Sequence, residues 1–160
     1  MRIEKYSFGT GDRFGREGTA QLAAIREIGR LGIPVVPVWN NSNREHTIIG
    51  SQPTDVRAEA SAAMKKERYT GSYYGDADHI NLTTVDRFAE SSDFFTIDVA
   101  SYIGIKPDRL SVESFVKHYR GYIGTISVPG IVKKLNVTRE FLSTLAGNYL
   151  VAMDEVGRIY

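Results

Sequence analysis

The motif Asp76-Ala77-Asp78-His79 combines the two side-chain types that most often bind divalent cations. Imidazole and carboxylate groups are the usual protein ligands of a hard or borderline cation, and a carboxylate can also accept a proton from a substrate. Regular strand alternation predicts Asp76 and Asp78 on one face and His79 on the other. One histidine does not complete a metal site, and the sequence contains no His-x-His, His-Glu-x-x-His or calcium-loop spacing.

A glycine-rich run over residues 9–15 contains the pair Asp12-Arg13. Its G-x-G-x-x-x-G spacing has one residue more than the dinucleotide fingerprint and lacks the Lys-Ser/Thr of a P-loop, so we exclude NAD and ATP. A guanidinium can bind a carboxylate through two parallel hydrogen bonds, and we therefore assign Asp12 and Arg13 to substrate binding. A surface salt bridge between the two is the alternative.

Residues 40–46 are rich in amide, guanidinium and imidazole groups and are predicted to form a loop after the second strand. Such groups suit a polyhydroxylated, anionic ligand, so we assign Asn43, Arg44 and His46 to substrate binding. The alternative is a solvated turn, because asparagine-rich turns are common.

Asp98 ends the fourth predicted strand. We assign both Asp76 and Asp98 to substrate binding. Alternatively, Asp98 could support a metal ligand by bonding to it. A glycosidase needs two facing carboxylates, which Asp78 and Asp98 could supply, but the sequence does not give their separation. The absence of a Gly-x-Ser-x-Gly elbow argues against a serine hydrolase. His118 lies in a predicted helix and is interpreted as structural.

Composition excludes several classes of protein. The 20 Lys and Arg residues against 19 Asp and Glu give a net charge of +1, which predicts neither nucleic-acid nor anionic-membrane binding. The chain has no cysteine and therefore no disulfide or cysteine chemistry. The longest apolar stretch, residues 33–39, is too short to span a bilayer, and the first residues lack a signal-peptide core, so we expect a soluble, cytoplasmic domain.

Short apolar segments alternate with segments of helical period, which is typical of βα units in a parallel sheet. Strands are predicted near residues 5–9, 34–39, 72–77 and 94–98, with right-handed crossovers. Each strand ends in a polar cluster, and in parallel α/β sheets the site lies at that end. We therefore predict an α/β, TIM-barrel-like fold, about half of a (βα)8 barrel, in which one edge of the sheet brings together Asp12, Asn43, Asp78, His79 and Asp98.

Helices are predicted over residues 19–31, from Pro53, from a Thr83/Asp86 capping box, over residues 111–122 capped by Ser111, and from Thr138. Pro37 favours a strand end or an edge strand. The final helix carries an apolar stripe of Phe141, Leu142, Leu145, Tyr149, Ala152, Met153, Val156 and Tyr160. Neither a capping glycine nor a proline ends this helix, which predicts a truncated chain, with a frayed natural terminus as the alternative.

Three motifs occur in the same order and with similar spacing in the tagaturonate/fructuronate epimerase family. They are YSFGTGDRFG at residues 6–15, GDADH at 75–79 and FTID at 95–98, while VWNNSNREH at 38–46 resembles one branch of the family. The resemblance covers nearly the whole chain. It implies a cytoplasmic, divalent-metal-dependent isomerase of hexuronate catabolism, with residues 1–160 as the N-terminal part of a sugar-acid epimerase domain.

The same resemblance implies that Asp78 is the proton acceptor and His79 a metal ligand. The family's proton donor and other metal ligands lie further along a longer chain, so we expect these 160 residues alone to be poorly active and weak in metal binding. We also expect copies to associate, because a half-barrel leaves two open sheet edges.

The two uronates differ at a hydroxyl-bearing carbon β to the ketone, whose C–H is therefore not acidified. A retro-aldol and aldol sequence avoids this difficulty, and a divalent cation would stabilise its enediolate and lower the pKa of the hydroxyl. Without such help, a carboxylate with a pKa of about 3.9 is a weak base for an alcohol. Two other functions remain open: a non-catalytic module that binds sugar acids, and a metal-dependent aldolase that releases a three-carbon product.

Overall fold

The computed structural model describes residues 3–160, and the chain divides into two compact units that meet in sequence between Asp98 and Val99. The first unit contains one sheet of four parallel strands in the order β1-β2-β3-β4. The strands are β1 (Ser7–Thr10), β2 (Val36–Ser42), β3 (Tyr74–Ile80) and β4 (Phe94–Ile97). The predicted α/β architecture with four parallel strands is confirmed, and β1 and β4 are the edges of the sheet.

Four helices accompany this sheet: α1 (Gly18–Arg30), α2 (Asn43–Ile49), α3 (Pro53–Lys66) and α4 (Val85–Phe88). The predicted start of α3 at Pro53 is confirmed, since proline has no N–H to leave unpaired in the first turn. Helices α1 and α3 cover one face of the sheet, where a buried cluster forms from Leu22, Trp39, Ala60, Ala63 and Met64. On the opposite face, Val36, Val38 and Tyr74 pack together with Phe94.

Strand β2 differs from its prediction in two ways. It continues to Ser42, so residues 40–46 are the end of a strand followed by the first turn of α2, and the predicted loop is wrong. It is also an inner strand of the sheet, in which Pro37 is the second residue and is paired with Phe8. Pro37 therefore lies near the start of a central strand, and the edge-strand interpretation is wrong.

The predicted capping box at Thr83 and Asp86 is also wrong. Helix α4 follows Thr84 without a side-chain cap. Asn81 organises this turn instead, because its Oδ1 accepts hydrogen bonds from the backbone N–H and the hydroxyl of Thr83, at 3.0 and 2.7 Å. An asparagine at a turn competes with the capping pattern through such local bonds.

The second unit contains α5 (Arg109–His118), the antiparallel pair β5 (Gly124–Ile126) and β6 (Leu135–Val137), and α6 (Arg139–Ile159). Asp108 caps α5 by accepting the N–H of Ser111 at 2.9 Å, so the cap lies three residues before the predicted one. Thr138 caps α6 as predicted and accepts the N–H of Phe141 at 3.1 Å.

The second unit has its own small core, in which Val116, Val137 and Leu142 are buried. Helix α6 buries only part of its predicted apolar stripe. Four members, Phe141, Leu145, Tyr149 and Met153, are 37–60% exposed, and a fifth, Tyr160, follows the end of α6 and is fully exposed. Within residues 3–160, no helix is long and apolar enough to cross a bilayer.

Candidate functional site

Polar side chains meet where β3 and β4 end. Asp76 and Asp78 are paired in register with Asn40 and Ser42 of β2. Thr96 of β4 donates a hydrogen bond from Oγ1 to Asp76 Oδ2 at 2.8 Å. We call the strand-end cluster the set formed by Asp76, Asp78, His79, Thr96 and Asp98.

A bulge in β3 shapes this cluster. The pairing of β3 with β4 shifts between Ala77 and Ile80, so that Asp78 and His79 lie together opposite a single residue of β4. His79 has a φ of +53°, in the left-handed region that non-glycine residues rarely adopt. Regular alternation therefore breaks at His79, and the predicted placement of Asp78 and His79 on opposite faces of the strand does not hold.

The ring of His79 lies between two carboxylates. Its Nε2 is 3.8 Å from Asp78 Oδ1, and its Nδ1 is 3.7 Å from Asp98 Oδ2. The His79 side chain is 65% exposed, whereas that of Asp78 is only 23% exposed. A largely exposed imidazole thus lies beside a largely buried carboxylate. This arrangement is suited to proton transfer or cation binding.

Burial raises the pKa of Asp78 above the ordinary aspartate value. His79 opposes this shift, while the negative charges of Asp76 and Glu45 add to it. A carboxylate with a raised pKa holds a proton more strongly, so Asp78 is a better general base than a solvated aspartate.

The two carboxylate oxygens of Asp76 differ in their hydrogen bonding. Its Oδ2 accepts the bond from Thr96, while its Oδ1 is buried and has no hydrogen-bond partner among the residues that the structure describes. Buried polar atoms are nearly always paired. Asp76 also lines a small buried cavity beside His46, so this oxygen is not accessible to a ligand from solvent.

Asp12 organises the loop that follows β1. Its carboxylate accepts the backbone N–H groups of Phe14, Arg16 and Glu17 at 2.8–3.1 Å. Burial raises the pKa of Asp12, but these hydrogen bonds outweigh it and the net shift is downward. The carboxylate is thus occupied by backbone, and the neighbouring Arg13 is exposed.

Asn41 attaches this loop to the end of β2, because its Nδ2 donates to the carbonyl oxygen of Asp12 at 2.8 Å. Sequence reasoning missed this buried residue among the seven consecutive polar positions 40–46. It also missed Arg87 of α4, whose Nη1 donates to Asn43 Oδ1 at 2.6 Å and so leaves the amide NH₂ of Asn43 as its available group.

The first turn of α2 holds Asn43 and the exposed Arg44, directly after β2. A capping box starts this helix: Ser42 Oγ accepts the N–H of Glu45, and Glu45 Oε2 accepts the N–H of Ser42 at 2.9 Å. The Ser-x-x-Glu spacing that signals such a box is visible in the sequence.

His46 is not brought to the strand-end cluster. It is 1% exposed, its ring packs on Phe88 with ring centres 5.7 Å apart, and its Nδ1 is 2.7 Å from Ser51 Oγ. Burial lowers the pKa of His46, and the positive charge of Arg87 lowers it further. The ring belongs to the core of the first unit.

The donor types at the cluster suit a divalent cation, but their number does not complete a site. Residues 3–160 contain no group of three His, Asp or Glu side chains that could hold a metal ion. His79 can therefore supply one ligand at most of a larger set.

Comparison with known proteins gives one consistent family. The model of the tagaturonate epimerase family, UxaE, matches residues 1–128. A tagaturonate/fructuronate epimerase of Thermotoga maritima is 31% identical over 100 residues, which are 61% of this chain and 20% of that relative.

Two crystal structures of the fructuronate-tagaturonate epimerase UxaE from Cohnella laeviribosi share the fold. The native one has a TM-score of 0.75 at 22% identity and covers 97% of this chain and 34% of its own. A glycerol complex has a TM-score of 0.69 at 20% identity, with 93% and 32% covered. The chain thus spans about a third of the length of these structures and a fifth of the curated relative. Since the family model matches well over half of the chain, this protein belongs to the tagaturonate epimerase family.

Proposed function

We propose that this chain is the N-terminal part of an enzyme that interconverts tagaturonate and fructuronate in hexuronate catabolism, in the cytoplasm. The observation that carries the proposal is Asp78, a sheltered carboxylate with a raised pKa that lies beside His79 in a member of this family. Asp78 is the proton acceptor in this scheme.

The proposed reaction is a retro-aldol step followed by re-addition. Asp78 removes the proton from the hydroxyl on the carbon β to the ketone, and the adjacent carbon–carbon bond breaks to give a three-carbon aldehyde and an enediolate. The aldehyde turns its other face, the bond forms again, and Asp78 returns the proton to the new alkoxide. The raised pKa of Asp78 favours its role in both proton transfers.

Charge at the cluster supports a cation in this chemistry. Asp76, Asp78 and Asp98 lie together and would repel an anionic sugar acid, because like charges in a partly desolvated site are costly. A divalent cation bound to His79 would offset this charge and supply a Lewis acid for the enediolate. Its other ligands would come from outside residues 3–160.

The remaining side chains would hold the substrate. Arg13 and Arg44 are exposed and carry the charge that binds a carboxylate. Asn43 offers its amide NH₂ to a hydroxyl, and Asp76 can accept a second hydrogen bond at Oδ2, because a carboxylate oxygen has two lone pairs. Asp12 supports the loop that carries Arg13.

We also propose that the sheet of the first unit is part of a larger barrel. Residues 1–160 would form about half of a TIM-barrel-like epimerase domain, in which further strands pair with β1 and β4. The open edges of the sheet and the third of the relatives' length that this chain spans both support it.

A non-catalytic module that binds sugar acids is the second candidate. One observation favours it: the described part of the chain lacks a group of side chains that could hold a metal ion. Such a module would keep the polar strand ends and bind a keto-uronate without converting it.

The test is to incubate tagaturonate with the chain, with and without added Mn²⁺ or Zn²⁺, and to follow fructuronate by chromatography. An active form that contains these residues should convert it, and the Asp78→Asn variant should not. Binding without conversion in every form would support the module. Net release of a three-carbon product would indicate an aldolase.

A further inference from the structure

His46 is a buried titratable residue that the proposed reaction does not use. The backbone carbonyl of His46 accepts the N–H of Ser51 at 3.0 Å, and its Nδ1 is 2.7 Å from Ser51 Oγ. Its other ring nitrogen, Nε2, is buried without a hydrogen-bond partner among the described residues. Nδ1 of the imidazole thus has a hydrogen-bond partner, whereas Nε2 has none among the described residues.

A small cavity borders this ring. It measures about 10 Å³, and its lining includes Asn41, His46, Asp76, Phe88, Ser91 and Ser92. Asp76 Oδ1 is, like His46 Nε2, buried without a hydrogen-bond partner among the described residues. This is the room that the centre of a single water molecule needs, and buried waters occur where polar groups lack protein partners. The lining is polar enough to supply the two or more contacts that such a water makes.

We propose that this cavity is a binding site for one water molecule, hydrogen-bonded to His46 Nε2. A neutral imidazole has one nitrogen that donates and one that accepts, and Ser51 can serve Nδ1 in either role. Water can likewise donate or accept, so it satisfies Nε2 in both tautomers.

The charge around His46 agrees with a neutral ring. Burial and Arg87 lower its pKa, while Asp55 and Glu45 oppose the shift without reversing it. A neutral partner such as water therefore fits the cavity better than an anion, which would require an imidazolium and would also meet the carboxylate of Asp76.

The position of the site gives it a structural role. Asn41 lines the cavity and also bonds to the carbonyl of Asp12, while His46 lies on the same short helix as Asn43. A water held here would join α2 to the end of β2, directly below the polar strand ends.

Water-selective NMR on the ¹⁵N-labelled 160-residue chain tests the proposal. We expect a dipolar cross-peak between the His46 ring and a long-lived water, and one neutral tautomer in the ¹⁵N shifts. The cross-peak should persist in Ser51→Ala, which leaves Nε2 and the cavity in place, and vanish in His46→Phe.

A wild-type protein without this cross-peak would overturn the proposal, whatever the variants do. So would a crystal structure at about 1.5 Å resolution that shows the cavity empty or His46 Nε2 bonded directly to a protein atom. Neither measurement depends on epimerase activity.

Discussion

Thr96 of β4 donates its hydroxyl hydrogen to Asp76 Oδ2 of β3 over 2.8 Å, which joins the two strands at the base of the strand-end cluster. The bond satisfies one oxygen of the partly buried Asp76 carboxylate, while the other oxygen, Oδ1, is buried. Two strands that are paired only irregularly beyond Ala77 thereby gain a side-chain link.

Thr96→Val should remove this link while keeping the shape of the side chain. We expect a loss of about 1 kcal/mol in the free energy of unfolding, as is typical of one hydrogen bond, measured by urea denaturation. Thr96→Ser retains the hydroxyl and is the matched control. A valine variant as stable as the wild type would show that the bond does not contribute.

Asp78→Asn should slow turnover in an active epimerase that contains these residues, because asparagine cannot accept the proton. The expected loss in kcat is roughly 10²–10⁴-fold, the usual contribution of a general acid–base group. Asp86→Asn, at an exposed position of α4, is the control. Turnover within a few-fold of wild type in Asp78→Asn would remove Asp78 from the mechanism.

His79→Ala should weaken metal binding, because an imidazole ligand is lost. Equilibrium dialysis of the same active form against Mn²⁺ or Zn²⁺ measures this, with His118→Ala as the control at an exposed histidine. If Asp78→Asn released the metal and His79→Ala did not, the two proposed roles would be exchanged.

The left-handed backbone at His79 has a separate effect on stability. Glycine adopts φ near +53° freely, whereas alanine is strained there by roughly 1 kcal/mol. His79→Gly should therefore unfold at a higher urea concentration than His79→Ala. The reverse order would show that the bulge relaxes when the ring is removed.

Asp12 should make stability depend on pH. Its pKa is lowered in the folded chain, so its stabilisation is present above the unfolded-state value near 3.8 and is lost as the pH falls through the lower, folded value. Asp12→Asn keeps an oxygen that can accept a hydrogen bond but loses the negative charge, so it should lower the free energy of unfolding at pH 7 and lower it less at pH 3. An equal cost at both pH values would contradict this.

Much of the first unit can be predicted from the sequence because its elements are long enough to show a period. The helices α1 and α3 each bury small and aliphatic residues at helical spacing, and Gly32 follows α1 with a φ of +83°. Four strands that each end in polar residues indicate a parallel sheet without any knowledge of pairing.

Other features depend on contacts that no local pattern encodes. The strands β5 and β6 have three residues each, too few for an alternation to be recognised. Asp108 and Ser111 are both good capping residues, and only the backbone shows that Asp108 is the cap.

The proximity of three candidate residues could be predicted from the sequence, whereas the burial of a fourth could not. Asp78, His79 and Asp98 are brought together because parallel strands end at one edge. The burial of His46 could not be predicted, because residues 40–46 include three asparagines and their polarity indicates a solvated segment. The contact of His46 with Phe88 is visible only in the structure.

The bulge in β3 adds a residue to the end of the strand without changing which residues of β3 pack in the core. Ala77 and Ile80 are both fully buried and are paired with residues of β4 that are only two positions apart. A strand one residue shorter would give the same pairs with regular geometry and an equally filled core. The additional position therefore serves nothing in the packing of the sheet. It places a second side chain, that of His79, directly beside Asp78.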